Sequence, residues 1–188
     1  MKILLVDNYD SFTYNLYHSL SKFSNELSVI RNDAINFDLV HQFDKIVLSP
    51  GPGLPSESAK LNAIIKRFHK TKSILGICLG HQAIGEVFGL KLRQLKQVKH
   101  GEHSIIDKVE NTSYLFKEIN LPLQVGHYHS WVIDEHQKIN DFEVTSFSKE
   151  GLIMSISHKK YDINGIQFHP ESILTPQGNH IIENWIKY

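Results

Sequence analysis

Ile74-Leu75-Gly76-Ile77-Cys78-Leu79-Gly80-His81-Gln82 is the stretch on which the fold turns. Its first four residues are apolar or glycine, as in a short strand buried on both faces, and Leu79 to Phe88 then takes up a helical spacing that Gly89 stops. A strand therefore turns directly into a helix, with glycine two residues before and two after Cys78. That is the layout of a nucleophile elbow, in which glycines permit a tight turn while the central side chain is held exposed. A helix N-terminus also favours the thiolate, the reactive form of cysteine. A lone cysteine in a core is ordinarily a small hydrophobe, but a space-filling residue does not need a sharp turn flanked by glycines.

Working outward, the same alternation recurs. Ile3 to Val6 is a short apolar run ending in Asp7-Asn8, and Ser11 to Phe23 spaces Phe12, Leu16, Leu20 and Phe23 as a helix. Leu27 to Ile30 and Lys45 to Leu48 read as further strands, the second ending at Ser49-Pro50-Gly51-Pro52-Gly53, which can continue neither strand nor helix. Ser58 to His69 has the spacing of an amphipathic helix. This pattern predicts an α/β fold: a mostly parallel sheet with helices on both faces and functional loops beyond the carboxyl ends of the strands. After Leu90 the character changes. Leu123 to Val125, Trp131 to Ile133, Phe142 to Phe147 and Ile153 to Ser157 read as closely spaced strands, expected to be antiparallel additions. No repeat or linker interrupts the chain, so residues 1–188 are expected to form a single domain.

Composition narrows the function. Twenty basic residues balance twenty acidic ones, leaving no net field to gather nucleic acid or an anionic membrane. A small neutral substrate fits better. The single cysteine rules out an internal disulfide framework and a multi-cysteine metal cluster and suits a reducing compartment. The apolar opening is too short for a signal-peptide core, and no later run reaches the length of a membrane span, so a cytoplasmic protein is expected. Without an export signal, the glycosylation-like Asn111-Thr112-Ser113 carries no weight.

A thiolate attacking an amide needs a group that holds a proton and returns it to the departing nitrogen, and histidine does this near neutral pH. Among twelve histidines, His169 stands out because it follows the apolar Gly165-Ile166-Gln167-Phe168, precedes the stiff Pro170 and has Glu171 two positions on. If that segment is extended, Glu171 lies on the same side and can accept from the imidazole. His127-Tyr128-His129 and His100-Gly101-Glu102-His103 could be imagined as metal sites, but with no helical HExxH and no cysteine cluster, neither a metal nor a cofactor is expected. In Gly51-Pro52-Gly53 a backbone amide can approach a ligand closely and, with the Leu79 amide, form an oxyanion hole. The same loop fails as a dinucleotide fingerprint because Ser56 stands where the third glycine belongs. Gln82, one helical turn after Cys78, is placed to face whatever Cys78 attacks.

Taken together, Gly76-Ile77-Cys78-Leu79-Gly80-His81-Gln82 and His169-Pro170-Glu171 resemble the triad class of glutamine amidotransferase domains over essentially the whole chain. Asp7 to Asn15, Ser49 to Gly53, Tyr128-His129-Ser130 and His169 to Thr175 resemble more narrowly the small subunits of anthranilate synthase and aminodeoxychorismate synthase. The resemblance implies a flavodoxin-like core, Cys78 as nucleophile, His169 as base and acid, Glu171 as its orienter, and Gly51, Gly53, Gln82, Ser130 and Trp131 in contact with glutamine. It also implies a chorismate-using synthase as protein partner, anthranilate synthase component I being preferred over its aminodeoxychorismate counterpart. The chain departs from these subunits at Trp131, where leucine commonly stands, and at His127, where arginine commonly stands. Two rivals are a cysteine peptidase or amidase of the same architecture and an inactive regulatory subunit that has kept the scaffold.

Overall fold

A computed structural model of the chain describes all residues except Ala59 and Asn111. The Asn111 acceptor and one residue of the expected helix from Ser58 therefore lie outside the described residues. Four short strands open the fold: β1 (Lys2–Asp7), β2 (Glu26–Arg31), β3 (Lys45–Leu48) and β4 (Ser73–Ile77). They alternate with helices α1 (Thr13–Ser21), α2 (Phe37–Val40), α3 (Leu61–Phe68) and α4 (Leu79–Val87). The later half supplies β5 (Leu92–Ile106), β6 (Leu123–Ile133), β7 (Phe142–Phe147), β8 (Ile153–His158), β9 (Ile163–Ile166) and α5 (Gly178–Lys187).

Seven strands form one sheet in the order β2-β1-β3-β4-β9-β8-β7. The first five are mutually parallel, whereas β8 and β7 run antiparallel. Because successive strand residues point to opposite faces, the apolar runs feed two cores. Ile3, Leu5, Val47, Leu75 and Ile77 pack with Leu16 and Leu20 of α1 and Ile181, Ile182 and Trp185 of α5. Leu4, Val6, Ile46, Leu48 and Ile74 pack with Leu61, Ile64, Ile65 and Phe68 of α3 and Ala83 and Ile84 of α4. The expected sheet, with helices on both faces and antiparallel strands added late, is the one found.

The differences have physical causes. Leu123–Val125 and Trp131–Ile133, expected as separate strands, belong to the single strand β6, whose middle is polar because its buried side chains make hydrogen bonds instead of apolar contacts. Its partner β5 was not anticipated, since most of its side chains face solvent and carry no alternation. These two form a separate antiparallel ribbon with irregular register around Lys99 and His100. Helix α5 was also unanticipated: its N-cap position, Gln177, makes no side-chain cap. Among the described residues, no helix is long and apolar enough to cross a membrane.

Candidate active site

Backbone sterics build the elbow. Cys78 sits at φ 51°, ψ −99°, a conformation side chains rarely adopt and one that the surrounding structure has to enforce. Enforcement comes from both sides: the Cys78 amide donates to the Ile166 carbonyl at 2.8 Å, and the Cys78 carbonyl accepts from the Gln82 amide at 3.0 Å. The two glycines are needed for close approach. A Cβ on Gly76 would lie 2.5 Å from the Gly80 backbone, and one on Gly80 would lie 2.5 Å from the Leu48 carbonyl oxygen. The result is a cysteine only 5% exposed at the head of α4.

His169 arrives from the neighbouring strand's end. Its amide donates to the Gly126 carbonyl at 3.1 Å, its carbonyl accepts from Thr175 Oγ1 at 2.6 Å, and Thr175 Oγ1 accepts from the Gly126 amide at 2.9 Å, so β6 grips the loop that carries it. Glu171 Oε1 lies 2.7 Å from His169 Nδ1, and both side chains are shut off from solvent. The contact was expected but its geometry was not: the segment is a turn, closed by the Ser172 amide donating to the His169 carbonyl at 3.3 Å, and not an extended strand. Pro170 cannot donate to a sheet ladder, which favours the turn.

Electrostatics separates His169 from the other buried histidines. Burial alone would push its imidazole down, but the Glu171 carboxylate and the Cys78 sulfur outweigh this and hold it well above the usual value of 6.5. Burial instead pushes His81 down to about 3, His127 to about 4 and His129 to about 3. His169 Nε2 makes no hydrogen bond of standard geometry among the described residues, so it and Cys78 are poised but not joined, as is common before substrate arrives.

A cavity of about 150 Å³ opens over Cys78, lined by Gly51, Pro52, Gly53, Gln82, Tyr128, His129, Ser130 and Trp131. The structure thus gathers the expected contact residues around one space the size of a single amino acid, too small for an extended peptide. Leu79 lies beneath the loop: a Cβ on Gly51 would come within 2.7 Å of its side chain. As the first residue of α4, Leu79 has an amide with no intrahelical partner, available to an oxyanion. Asn8 ties the loop after β1 to the loop after β3: its backbone N–H donates to Ser49 Oγ at 2.9 Å and its Nδ2 to the Ser49 carbonyl at 2.8 Å.

Gln82 does face the cavity, but its amide nitrogen is engaged, donating to the Trp131 carbonyl at 2.7 Å and to Gln167 Oε1 at 3.2 Å. Gln167 Nε2 in turn reaches Cys78 Sγ at 3.6 Å. Gln167 was not among the residues expected at the site; the available signal was one amide side chain inside the apolar run Ile166-Gln167-Phe168. The imagined metal pairs behave differently. His127 Nδ1 and His129 Nε2 hydrogen-bond each other at 3.2 Å, and His127 Nε2 bonds to Ser104 Oγ at 2.7 Å. Asp134, Glu135 and His136 lie close together, but Arg93 already pairs with Glu135.

The chain can be compared with known proteins on this basis. The family model described as glutamine amidotransferase class-I matches residues 4–188. Anthranilate synthase component 2 of Cyanophora paradoxa is 44% identical, covering 98% of this chain and 97% of the relative. Aminodeoxychorismate synthase component 2 of Klebsiella aerogenes is 45% identical over 98% of each chain. The crystal structure of a GMP synthase subunit from Thermoplasma acidophilum superposes with a TM-score of 0.87 at 27% identity, covering 100% of this chain and 92% of that one. A glycine-flanked cysteine at the head of a helix, a buried histidine–glutamate pair beside it and a match over nearly the full length lead to one conclusion: the chain belongs to the class-I glutamine amidotransferase family.

Proposed function

We propose that this chain is the glutaminase subunit of a chorismate-using synthase, splitting glutamine and passing ammonia to a component I partner. Residues 1–188 are taken as one amidotransferase unit working in the cytoplasm, a reading supported by the family match over residues 4–188. The observation that carries the chemistry is Cys78, held at φ 51° beneath an amino-acid-sized cavity and beside an imidazole that Glu171 keeps charged.

In this reading the Cys78 thiolate attacks the carboxamide carbon of glutamine, and the Leu79 and Gly53 amides receive the oxyanion. His169 gives its proton to the departing nitrogen, so ammonia leaves neutral and a glutamyl thioester remains. Water then attacks the thioester with His169 as base, releasing glutamate and restoring the thiolate. Gly51, Pro52, Gln82, Ser130 and Trp131 hold the glutamine backbone. Neutral ammonia is protonated in bulk water, which favours its handover across an interface to the synthase.

Anthranilate synthase is the preferred partner class. Aminodeoxychorismate synthase is the second reading, favoured by the 45% identity of the Klebsiella aerogenes component. The deciding experiment measures glutamate release by the purified chain, alone and mixed with each synthase, for the native protein, Cys78→Ala and His169→Ala. Release stimulated by one synthase and abolished by both substitutions supports the reading and identifies the partner. No release with either synthase overturns it.

A further inference from the structure

Glu171 fixes only one atom of the His169 ring. A single hydrogen bond to Nδ1 leaves the imidazole free to swing about that bond, displacing Nε2, the atom that has to meet sulfur and substrate nitrogen. Two aromatic edges remove this freedom. The Tyr128 ring meets the imidazole at 4.9 Å with 71° between planes, and the Phe12 ring meets it at 6.1 Å and 73°. These two rings also touch each other, at 5.0 Å. Edge-to-face contacts of this kind are favoured by the ring quadrupoles and lost on rotation.

Tyr128 has a second hold. Its hydroxyl lies 3.1 Å from Ser172 Oγ, and Ser172 Oγ also accepts from the Leu174 amide at 3.1 Å, so the bond stiffens the turn directly after Glu171. One side chain on β6 therefore touches the imidazole with its ring and the carboxylate-bearing turn with its oxygen. His100 of β5 packs edge-on against the same ring at 5.5 Å, seating it from the ribbon side.

We propose that Tyr128 is a positioning residue for glutamine hydrolysis, its ring holding His169 Nε2 toward Cys78 and its hydroxyl holding the Glu171 turn. The inference rests on the reading of His169 as base. The experiment compares Tyr128→Leu and Tyr128→Phe with the native chain in two assays: steady-state glutaminase kinetics with the stimulating synthase, and the rate of Cys78 alkylation by iodoacetamide at pH 7. The second assay reports the thiolate–imidazole pairing without turnover.

Tyr128→Leu is expected to lower kcat by about 10–10²-fold, with KM within about threefold of native, and to slow alkylation in parallel. Tyr128→Phe keeps the ring and should lose no more than about threefold in kcat. Tyr128→Met fills similar space without a ring edge and replaces the leucine variant if that one does not fold. A folded ring-less variant with native kcat and native alkylation overturns the proposal. So does a change confined to KM, which would make Tyr128 a substrate contact, and so does a phenylalanine variant as impaired as the leucine one. Lack of any turnover in the native chain would instead strike the function proposed above, while the alkylation rates would still read the positioning.

Discussion

His169 and Glu171 are two residues apart in sequence and form a buried pair, Nδ1 to Oε1 at 2.7 Å, across a turn that begins at Pro170. The carboxylate both orients the ring and keeps it charged against the cost of burial. Glu171→Gln retains size and reach but removes the anion. Its kcat for glutamate release should fall by about 10²–10⁴-fold with little change in KM. A variant within a few-fold of native kcat would remove Glu171 from the mechanism.

Gln167 offers a hydrogen bond to the Cys78 sulfur and links it to Gln82. Gln167→Leu should lower kcat by about tenfold, a hydrogen bond to a charged group contributing about 1.5–3 kcal/mol. Gln82→Ala frees the Trp131 carbonyl and the cavity wall it holds, and is expected to act mainly on KM, by about tenfold. Steady-state kinetics of the two variants separates these effects; identical profiles would contradict the assignment.

Two glycines make a paired stability test. Gly80→Ala drives a methyl group to 2.5 Å from the Leu48 carbonyl oxygen and should cost about 3 kcal/mol or more. Gly89→Ala meets nothing within 4 Å and suffers only its φ of +84°, worth about 1 kcal/mol. Urea unfolding measures both, and equal losses would mean that close packing at the elbow is not what selects glycine there.

Acid should unfold the protein through its neutral buried histidines. Burial pushes His81 to about 3, His127 to about 4 and His129 to about 3, below the unfolded value of about 6.5. The unfolded chain therefore binds more protons between those limits, and stability falls with falling pH by up to about 1.4 kcal/mol per pH unit for each ring. His169 has the opposite sign: its folded value is raised, so its contribution is complete below the unfolded value and disappears as pH rises through the folded one. Urea midpoints should drop steadily from pH 7 to pH 5, and His127→Gln should flatten the slope. A flat native profile would refute the account.

Much of the fold was legible in the sequence because the parallel strands are buried on both faces and so read as unbroken apolar runs: Lys45–Leu48 matches residue for residue. The elbow was legible because its glycines are required by contacts within a few residues. The ribbon strand β5 was not, since its side chains face solvent, and neither was the hydrogen-bonded link from Gln82 through Gln167 to the sulfur, which joins segments distant in sequence. The pairing of His169 with Glu171 was foreseen through an extended backbone and realised by a turn, because residues i and i+2 can meet in either.

Strand β9 pairs with β4 in the interior of the sheet although it is the last strand to be made. A ribosome therefore releases the cysteine long before it releases the residues that complete its surroundings. Until Ile163–Ile166 slots in, β4 has an open edge, the Cys78 amide lacks the Ile166 carbonyl, and no imidazole stands nearby. Chemistry is thereby tied to completed synthesis: an interrupted polypeptide carries the thiol but has no means of consuming the cell's glutamine.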